Sequence, residues 1–386
     1  MQNETRTELG TFILVDDSVG WKACLKDLQK QKRFAVDIEA NSLYAYREKI
    51  CLIQISTENS DYIVDPLADF ALDGLGQLLF DPSKEKVFHA SEYDLILLKR
   101  EYDWDVNNLF DTMWAARILG YKNMGLAWFL QEFYGLTLSK KYQKANWAAR
   151  PLTFPQLEYA QNDTSFLLRL RDFFYGALEK AGHLEEALEI FTNESRVRVP
   201  DRQFDPDAFW SIRGARDLKP RNQAVLRELF LLREEEARER NIPPFKVINN
   251  QVLILLAEAA PKNMKELREF KGLSARAYRS LAQRILDAID AGHKASVPKQ
   301  RTVRRNNHSF DPEVSDRYER LVQWRKQYAQ QRGVESDVIL TRQAMWEIAQ
   351  TNPRSLEALS DISSLGPKRL EILGECILHE IAGDNA

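Results

Sequence analysis

FAVDI, residues 34–38, reads as a short strand, with Asp37 and Glu39 at its end. Phe34, Val36 and Ile38 suit a pleated, buried surface. Asp37 and Glu39 are two apart, so strand alternation sends both to one face. Like charges on one face repel, and each carboxylate loses hydration if that face is covered. A divalent cation removes both costs. An exposed strand end with two solvated acids gives the same pattern, so the pair alone leaves both readings open.

Outward from this strand, the first half alternates strand and helix patterns. CLIQIS (51–56) and DYIVD (61–65) read as strands joined by the turn-like Glu58-Asn59-Ser60, and KVFHA (86–90) as another. Helical spacing covers 18–31, 68–80, 92–102, 112–119, 126–134 and 155–178. Thr153 suits a cap and Pro155 a first helical turn. Together these give a central sheet flanked by helices, an α/β domain over residues 1–195.

Two further acids fall on helices. Asp94 precedes the apolar run Leu95 to Leu98, as a first-turn dipole partner or as a group facing the sheet. Tyr159 and Asp163 are one helical turn apart and share a face. A core tyrosine with a solvated aspartate gives the same spacing. Four carboxylates and one tyrosine make up the inventory for two-metal phosphodiester hydrolysis, with the phenol orienting the attacking water. Oxygen-only ligation favours two Mg²⁺ or Mn²⁺ ions. Asp111 reads as the cap of the helix from Thr112, and His89 is open to a general-base or a structural role.

The 386 residues carry a net charge of −3, unevenly distributed. Residues 1–195 hold 21 Lys+Arg and 30 Asp+Glu, whereas residues 196–386 hold 33 and 27. An acidic front with a basic rear suits a metal–carboxylate site coupled to a module that holds a polyanion, though solvated surfaces also differ by chance. Cys24, Cys51 and Cys376 are odd in number and form no CxxC pair, which points to a reducing cytoplasm. The polar N-terminus does not read as a signal peptide, and no apolar run reaches the roughly 20 residues of a membrane helix.

The rear half shows no strand pattern but an internal repeat. Residues 227–289 align with 319–381, with Gln251 on Gln343, Pro261 on Pro353 and Leu267 on Leu359. The last helix of each copy opens near a glycine, Gly272 or Gly366. KASVPKQRTVRR (294–305) has the basic, proline-containing look of a linker.

The blocks VDIEA, KVFHASEYDLILL, LFDTMWAARILG and LEYAQNDTSFLL resemble the three exonuclease motifs of the DEDD superfamily, and Tyr159 resembles its DEDDy branch. CLIQIS, the FDT at 110–112 and KKYQKANWAARPL (140–152) are similar to the ribonuclease D family. The resemblance covers about residues 12–180. It implies a ribonuclease H-like fold with a mixed sheet. It also implies Asp37, Glu39, Asp94 and Asp163 as metal ligands and Tyr159 as the water-orienting residue. Lys140, Lys141, Lys144, Trp147 and Arg150 would then meet RNA, the cations at phosphates and Trp147 on a base. A surface loop anchored by a buried Trp147 is the plainer reading of that stretch.

The repeated unit resembles the HRDC domain, which sets a first copy at 205–295, a basic linker at 296–312 and a second copy at 313–386. Arg276 and Arg279 would add phosphate contacts, and removing 306–386 would mainly weaken substrate binding. The alternative is that these units dock on the catalytic domain. The implied activity is a monomeric 3′→5′ exoribonuclease that trims RNA with a free 3′ end, such as tRNA precursors or other structured RNA, and releases 5′-nucleoside monophosphates. The same chemistry on DNA, as in the Werner-type relatives, and a non-catalytic RNA-binding scaffold are the competing readings.

Overall fold

The computed structural model describes residues 11–201, 203–299 and 311–383, leaving aside the Arg276 side chain. The chain forms two compact units. One holds residues up to 40, 50–199 and the rear segment from 308; the other holds 41–49 with 200–307. The expected basic linker at 296–312 lies mostly outside the described residues.

The first unit is built on a six-stranded sheet: β1 (Phe12–Val15), β2 (Arg33–Ala40), β3 (Ile50–Ser56), β4 (Asp61–Val64), β5 (Glu85–Phe88) and β6 (Leu109–Asp111). The strand order is β1-β4-β3-β2-β5-β6. Pairings β2/β3 and β3/β4 are antiparallel and the other three are parallel, so the sheet is mixed. β1 and β6, four and three residues long, are too short to announce themselves by periodicity.

Alternation along β2 sorts its side chains. Phe34, Val36 and Ile38 enter one core, with residues of α1 (Ser18–Leu28), α2 (Asp73–Phe80) and α3 (Glu92–Tyr102). Ala35 enters the core of the other face, which draws on α4 (Thr112–Ile118), α5 (Leu126–Tyr134), α7 (Leu167–Ala181) and α8 (Leu184–Glu194). Asp37 and Glu39 therefore project on the Ala35 side. α6 (Phe154–Asn162) covers the sheet beside them, with Leu157 and Ala160 packed against Leu52 and Ile63.

Local chemistry sets the ends of these helices. Asp17 caps α1 by accepting from the Val19 and Gly20 amides at 3.0 and 2.7 Å. Pro155 lies in the first turn of α6, and the Thr153 amide donates to Gln156 Oε1 at 3.0 Å. The sequence pattern suggests one helix over 155–178, but the structure breaks it after Asn162 and resumes at Leu167. Thr164 and Ser165 account for the break. Thr164 Oγ1 accepts from the Ser56 hydroxyl at 2.8 Å, and the Ser165 hydroxyl donates back to the Gln161 carbonyl at 2.9 Å. Such local bonds compete with the helical ladder.

The second unit is the first helical repeat: α9 (Pro220–Glu239), α10 (Pro244–Val247), α11 (Asn250–Ala259), α12 (Met264–Glu269) and α13 (Ala275–Lys294). Segment 41–49 folds with it. The Tyr46 amide donates to Asn241 Oδ1 at 3.3 Å, and Lys246 Nζ lies 4.1 Å from the Tyr44 ring centroid. The second repeat has the same five helices: α14 (Pro312–Arg332), α15 (Ser336–Ile339), α16 (Arg342–Thr351), α17 (Leu356–Ser360) and α18 (Pro367–Ala382). Leu229, Leu253, Leu256, Leu267 and Ile285 fill the first core; Leu321, Met345, Ile348, Leu359 and Ile377 occupy the matching places in the second.

Residues 313–386, read from sequence as a module of their own, share a compact unit with the α/β domain. Charge joins them. Arg332 donates to both oxygens of Glu186, each at 2.7 Å, and Glu186 is 1% exposed. Arg369 donates to Glu189 at 2.7 Å, and the Lys368 amide, in the first turn of α18, donates to the same carboxylate at 2.6 Å. Gly366 caps α18, and a Cβ there would lie 2.0 Å from the Glu189 carboxyl carbon. Arg117 pairs with Glu335 at 2.8 Å and also binds Asp337. Val338 completes the apolar part of this contact within the α/β core.

Candidate active site

Each site residue sits at the end or edge of an element. Asp37 and Glu39 lie on β2, where pairing with β3 sets Asp37 opposite Gln54 and Glu39 opposite Leu52. The register slips between Glu39 and Ala40, a bulge that ends regular pairing just past the acids. Asp94 lies in the first turn of α3 and is 7% exposed. Tyr159 is on α6, and Asp163 is its C-cap with helical dihedrals, so the one-turn relation holds although the helix stops there.

The acids lie within one another's electrostatic reach. Their edges meet solvent at Asp37, Glu39 and Asp163, yet packed protein surrounds each carboxyl group. Burial pushes the Asp37 carboxyl up to about 7, against a small opposing effect of the Ile38 amide. Burial, then Asp37 and Asp163, push Glu39 up to about 9. Burial chiefly raises Asp94 and Asp163 well above the carboxylate range, with Asp37 repelling both. The Tyr159 phenol is raised by burial and by Asp163, Glu39 and Asp37, which keeps it protonated at neutral pH. All five residues named from the sequence thus lie within one another's electrostatic reach, although they span more than 120 positions of the chain. Among the described residues no three acidic, histidine or cysteine side chains lie at metal-ligand spacing. Mutual repulsion opposes that last approach, and a cation opposes the repulsion.

The donor set fits hard divalent cations: four carboxylates, no thiolate and no imidazole. His89 is tied into the fold. Its Nδ1 bonds Thr112 Oγ1 at 2.9 Å, Thr112 donates onward to the Phe88 carbonyl at 3.0 Å, and burial lowers its pKa. Asp111 caps α4 by accepting from Met113 and Trp114, and it also accepts from the Ala90 and Ser91 amides. These bonds pin the start of α3, and with it Asp94.

Two residues of the expected RNA-contacting stretch have other work. Trp147 is 1% exposed, packed with Leu52, Leu157 and Ala160, and its ring centroid is 5.9 Å from that of Tyr159. Its size and apolarity drove it inward, so it supports the tyrosine instead of stacking on a base. Arg150 binds Asp65 through two bonds of 2.5 and 2.7 Å and donates to the Cys51 carbonyl at 2.8 Å, so its guanidinium fastens the loop to the sheet. Lys140, Lys141 and Lys144 are exposed. Arg279 is exposed on α13, whereas the Arg276 side chain lies outside what the structure describes. Arg284, a further arginine of α13, pairs with Glu235 and Glu236.

Sequence reasoning passed over Gln54, a polar residue inside the apolar run CLIQIS. It is 0% exposed, and neither of its side-chain polar atoms has a partner. An amide in a run of strand-forming apolar residues was the available signal.

Residues 12–179 match the 3′-5′ exonuclease family model, and residues 222–289 and 315–381 each match the HRDC domain. The chain belongs to the 3′-5′ exonuclease family, with two HRDC domains. Among curated proteins, the exosome complex exonuclease RRP6 of Saccharomyces cerevisiae is 33% identical over 65% of this chain and 36% of its own length. A ribonuclease D of Pseudomonas paraeruginosa is 27% identical over 95% of this chain and 96% of its own. The crystal structure of the catalytic core of RRP6 from Trypanosoma brucei aligns with a TM-score of 0.67 at 30% identity, covering 75% of this chain and 82% of that one. The chain spans about a third of the length of the first curated relatives it matches. The exonuclease domain is therefore the α/β domain described above, and no helix among the described residues is long and apolar enough to cross a membrane.

Proposed function

We propose that this protein is a 3′→5′ exoribonuclease that removes nucleotides from RNA 3′ ends as 5′-nucleoside monophosphates. The observation that carries the reading is that Asp37, Glu39, Asp94 and Asp163 lie within one another's electrostatic reach, beside a protonated Tyr159. In this reading the four carboxylates hold two divalent cations, Mg²⁺ or Mn²⁺. Bound there, such cations supply Lewis-acid stabilisation for displacement at phosphorus.

The chain's own groups do the rest. Tyr159, fixed between Tyr142 and Trp147 at centroid distances of 6.1 and 5.9 Å, offers its hydroxyl to align the attacking water. Lys140, Lys141 and Lys144 present cations to the RNA backbone without reading its sequence. Arg279 adds a cation on the first HRDC domain. The likeness to ribonuclease D along nearly the whole chain supports RNA as substrate, with tRNA precursors or other structured RNA as its natural form. Cys24 and Cys51, both buried, and the exposed Cys376 support work in the cytoplasm. A single copy supplies all five site residues, in keeping with a monomer.

The test uses 3′-end-labelled RNA and DNA, with Mg²⁺ and then with a chelator. Stepwise release of mononucleotides from RNA, stopped by the chelator, is expected. Preference for DNA would replace the substrate, and chelator-resistant release would remove the metal mechanism. Asp37→Asn should abolish cleavage and leave the thermal melt nearly unchanged; wild-type turnover in that variant would exclude Asp37. Tyr159→Phe should slow cleavage less than Asp37→Asn does, because the carboxylates still hold the cations.

A further inference from the structure

We propose that Gln54 is a positioning residue for the carboxylate site, and that its side-chain amide donates to Asp37 when divalent cations are bound. The inference rests on the metal-dependent reading above.

Gln54 is fully buried, and both its carbonyl oxygen and its amide nitrogen lack partners. A buried polar group without a hydrogen bond is destabilising, and an amide carries two such ends. A leucine or methionine would fit the same all-buried strand without that penalty. The amide therefore works against the stability of the fold as it stands.

Its place shows what it could serve. Gln54 is the cross-strand partner of Asp37, so the two side chains leave the sheet on one face with neighbouring Cβ atoms. Its same-face neighbours along β3 locate it further. Leu52 packs under Leu157 and Ala160 of α6, and Ser56 bonds Thr164 just past the end of α6. Gln54 lies between them, facing the part of α6 that leads to Asp163. Neither polar atom of the amide has a hydrogen-bond partner, and the carboxylate directly across the strand pair is that of Asp37.

Were cations to hold Asp37 on its outer side, a carboxylate lone pair turned toward Gln54 would need a donor. An amide N–H there satisfies that lone pair and fixes the rotamer without adding charge. Partners of this kind behind a ligand typically change metal affinity by about 10- to 100-fold.

The test compares wild type, Gln54→Met and Gln54→Leu by calorimetric titration with Mn²⁺ and by thermal melts without metal. Both variants should weaken Mn²⁺ binding about 10-fold or more while melting at or above the wild-type temperature. Turnover in Gln54→Met should recover as Mn²⁺ is raised. Unchanged Mn²⁺ affinity in both variants, with tight binding by wild type, would overturn the role of Gln54 and leave the nuclease reading intact. Lower melting temperatures in both variants, with unchanged affinity, would make Gln54 a packing residue. Failure of wild type itself to bind Mn²⁺ would overturn the metal reading on which both rest.

Discussion

The two HRDC domains share a fold and differ in company. Pro220 and Pro312 open their first helices, and Asn241 and Gly333, both at positive φ, follow those helices. In each, an arginine of the first helix reaches back into the domain: Arg233 to Asn250 at 2.6 Å, Arg325 to the Leu340 carbonyl at 2.8 Å. The differences lie at the surface. Arg240 of the first domain pairs with Glu236 in its own helix, whereas Arg332, at the matching position, grips Glu186 of the exonuclease domain. Ser274 caps its own helix, whereas Gly366 leaves the matching helix start to Glu189. Pro243 and Phe245 stand where Glu335 and Asp337 meet Arg117. A repeat keeps the residues that fill its core, and a handful of surface positions decides what each copy binds.

This contrast adds a loss of stability to the expectation that losing the second copy would mainly weaken substrate binding. Ending the chain at residue 310 strips Glu186 and Glu189 of their arginines and uncovers apolar surface. The melting temperature of the exonuclease domain should fall by roughly 10 °C or more, since orphaning one buried charge costs about 3–5 kcal/mol. A truncated chain that melts like the whole would show the contact contributes nothing to stability.

Single substitutions sharpen the comparison. Arg332→Met should cost about 3–5 kcal/mol in urea unfolding, because Glu186 is left buried without its bidentate partner. Arg240→Met, its counterpart, should cost under about 1 kcal/mol, because Glu236 also binds Arg284. Equal losses would erase the distinction between the copies. Gly366→Ala should come next, at about 1–3 kcal/mol, since the added Cβ displaces Glu189. Ser274→Ala should lose only its cap bond to the Ala277 amide, about 1 kcal/mol.

The smallest effect is on pH. His183, 3.3 Å from Glu186, has its pKa lowered from the ordinary 6.5 by burial first and by Arg332 second. Below 6.5 the unfolded chain binds this proton more readily than the folded one, so stability should fall with pH from that point until His183 is protonated in both states. His183→Gln should flatten that part of a stability–pH profile; an unaltered slope would assign it to other groups.

Much of the site was legible before the fold was known. The two-residue spacing of Asp37 and Glu39 set them on one face because strand side chains alternate. The cap at Asp111 and the helix from Glu92 followed from local hydrogen bonding. Trp147 and Arg150 were harder: a tryptophan and an arginine among lysines look the same in sequence whether they face RNA or a core. Gln54 was hidden for a similar reason, since a strand pattern marks an odd residue without showing what lies opposite.

By itself the sequence determined the elements, the repeat and the inventory of acids, because periodicity, caps and turns are short-range consequences of backbone geometry. Only the tertiary structure decided that Asp94 and Asp163 come within electrostatic reach of Asp37 and Glu39, that Gln54 stands opposite Asp37, and that one HRDC domain clasps the exonuclease domain through Glu186 and Glu189. Those facts depend on which faces pack together across long stretches of chain, and charge pairing between distant surfaces leaves no period to read.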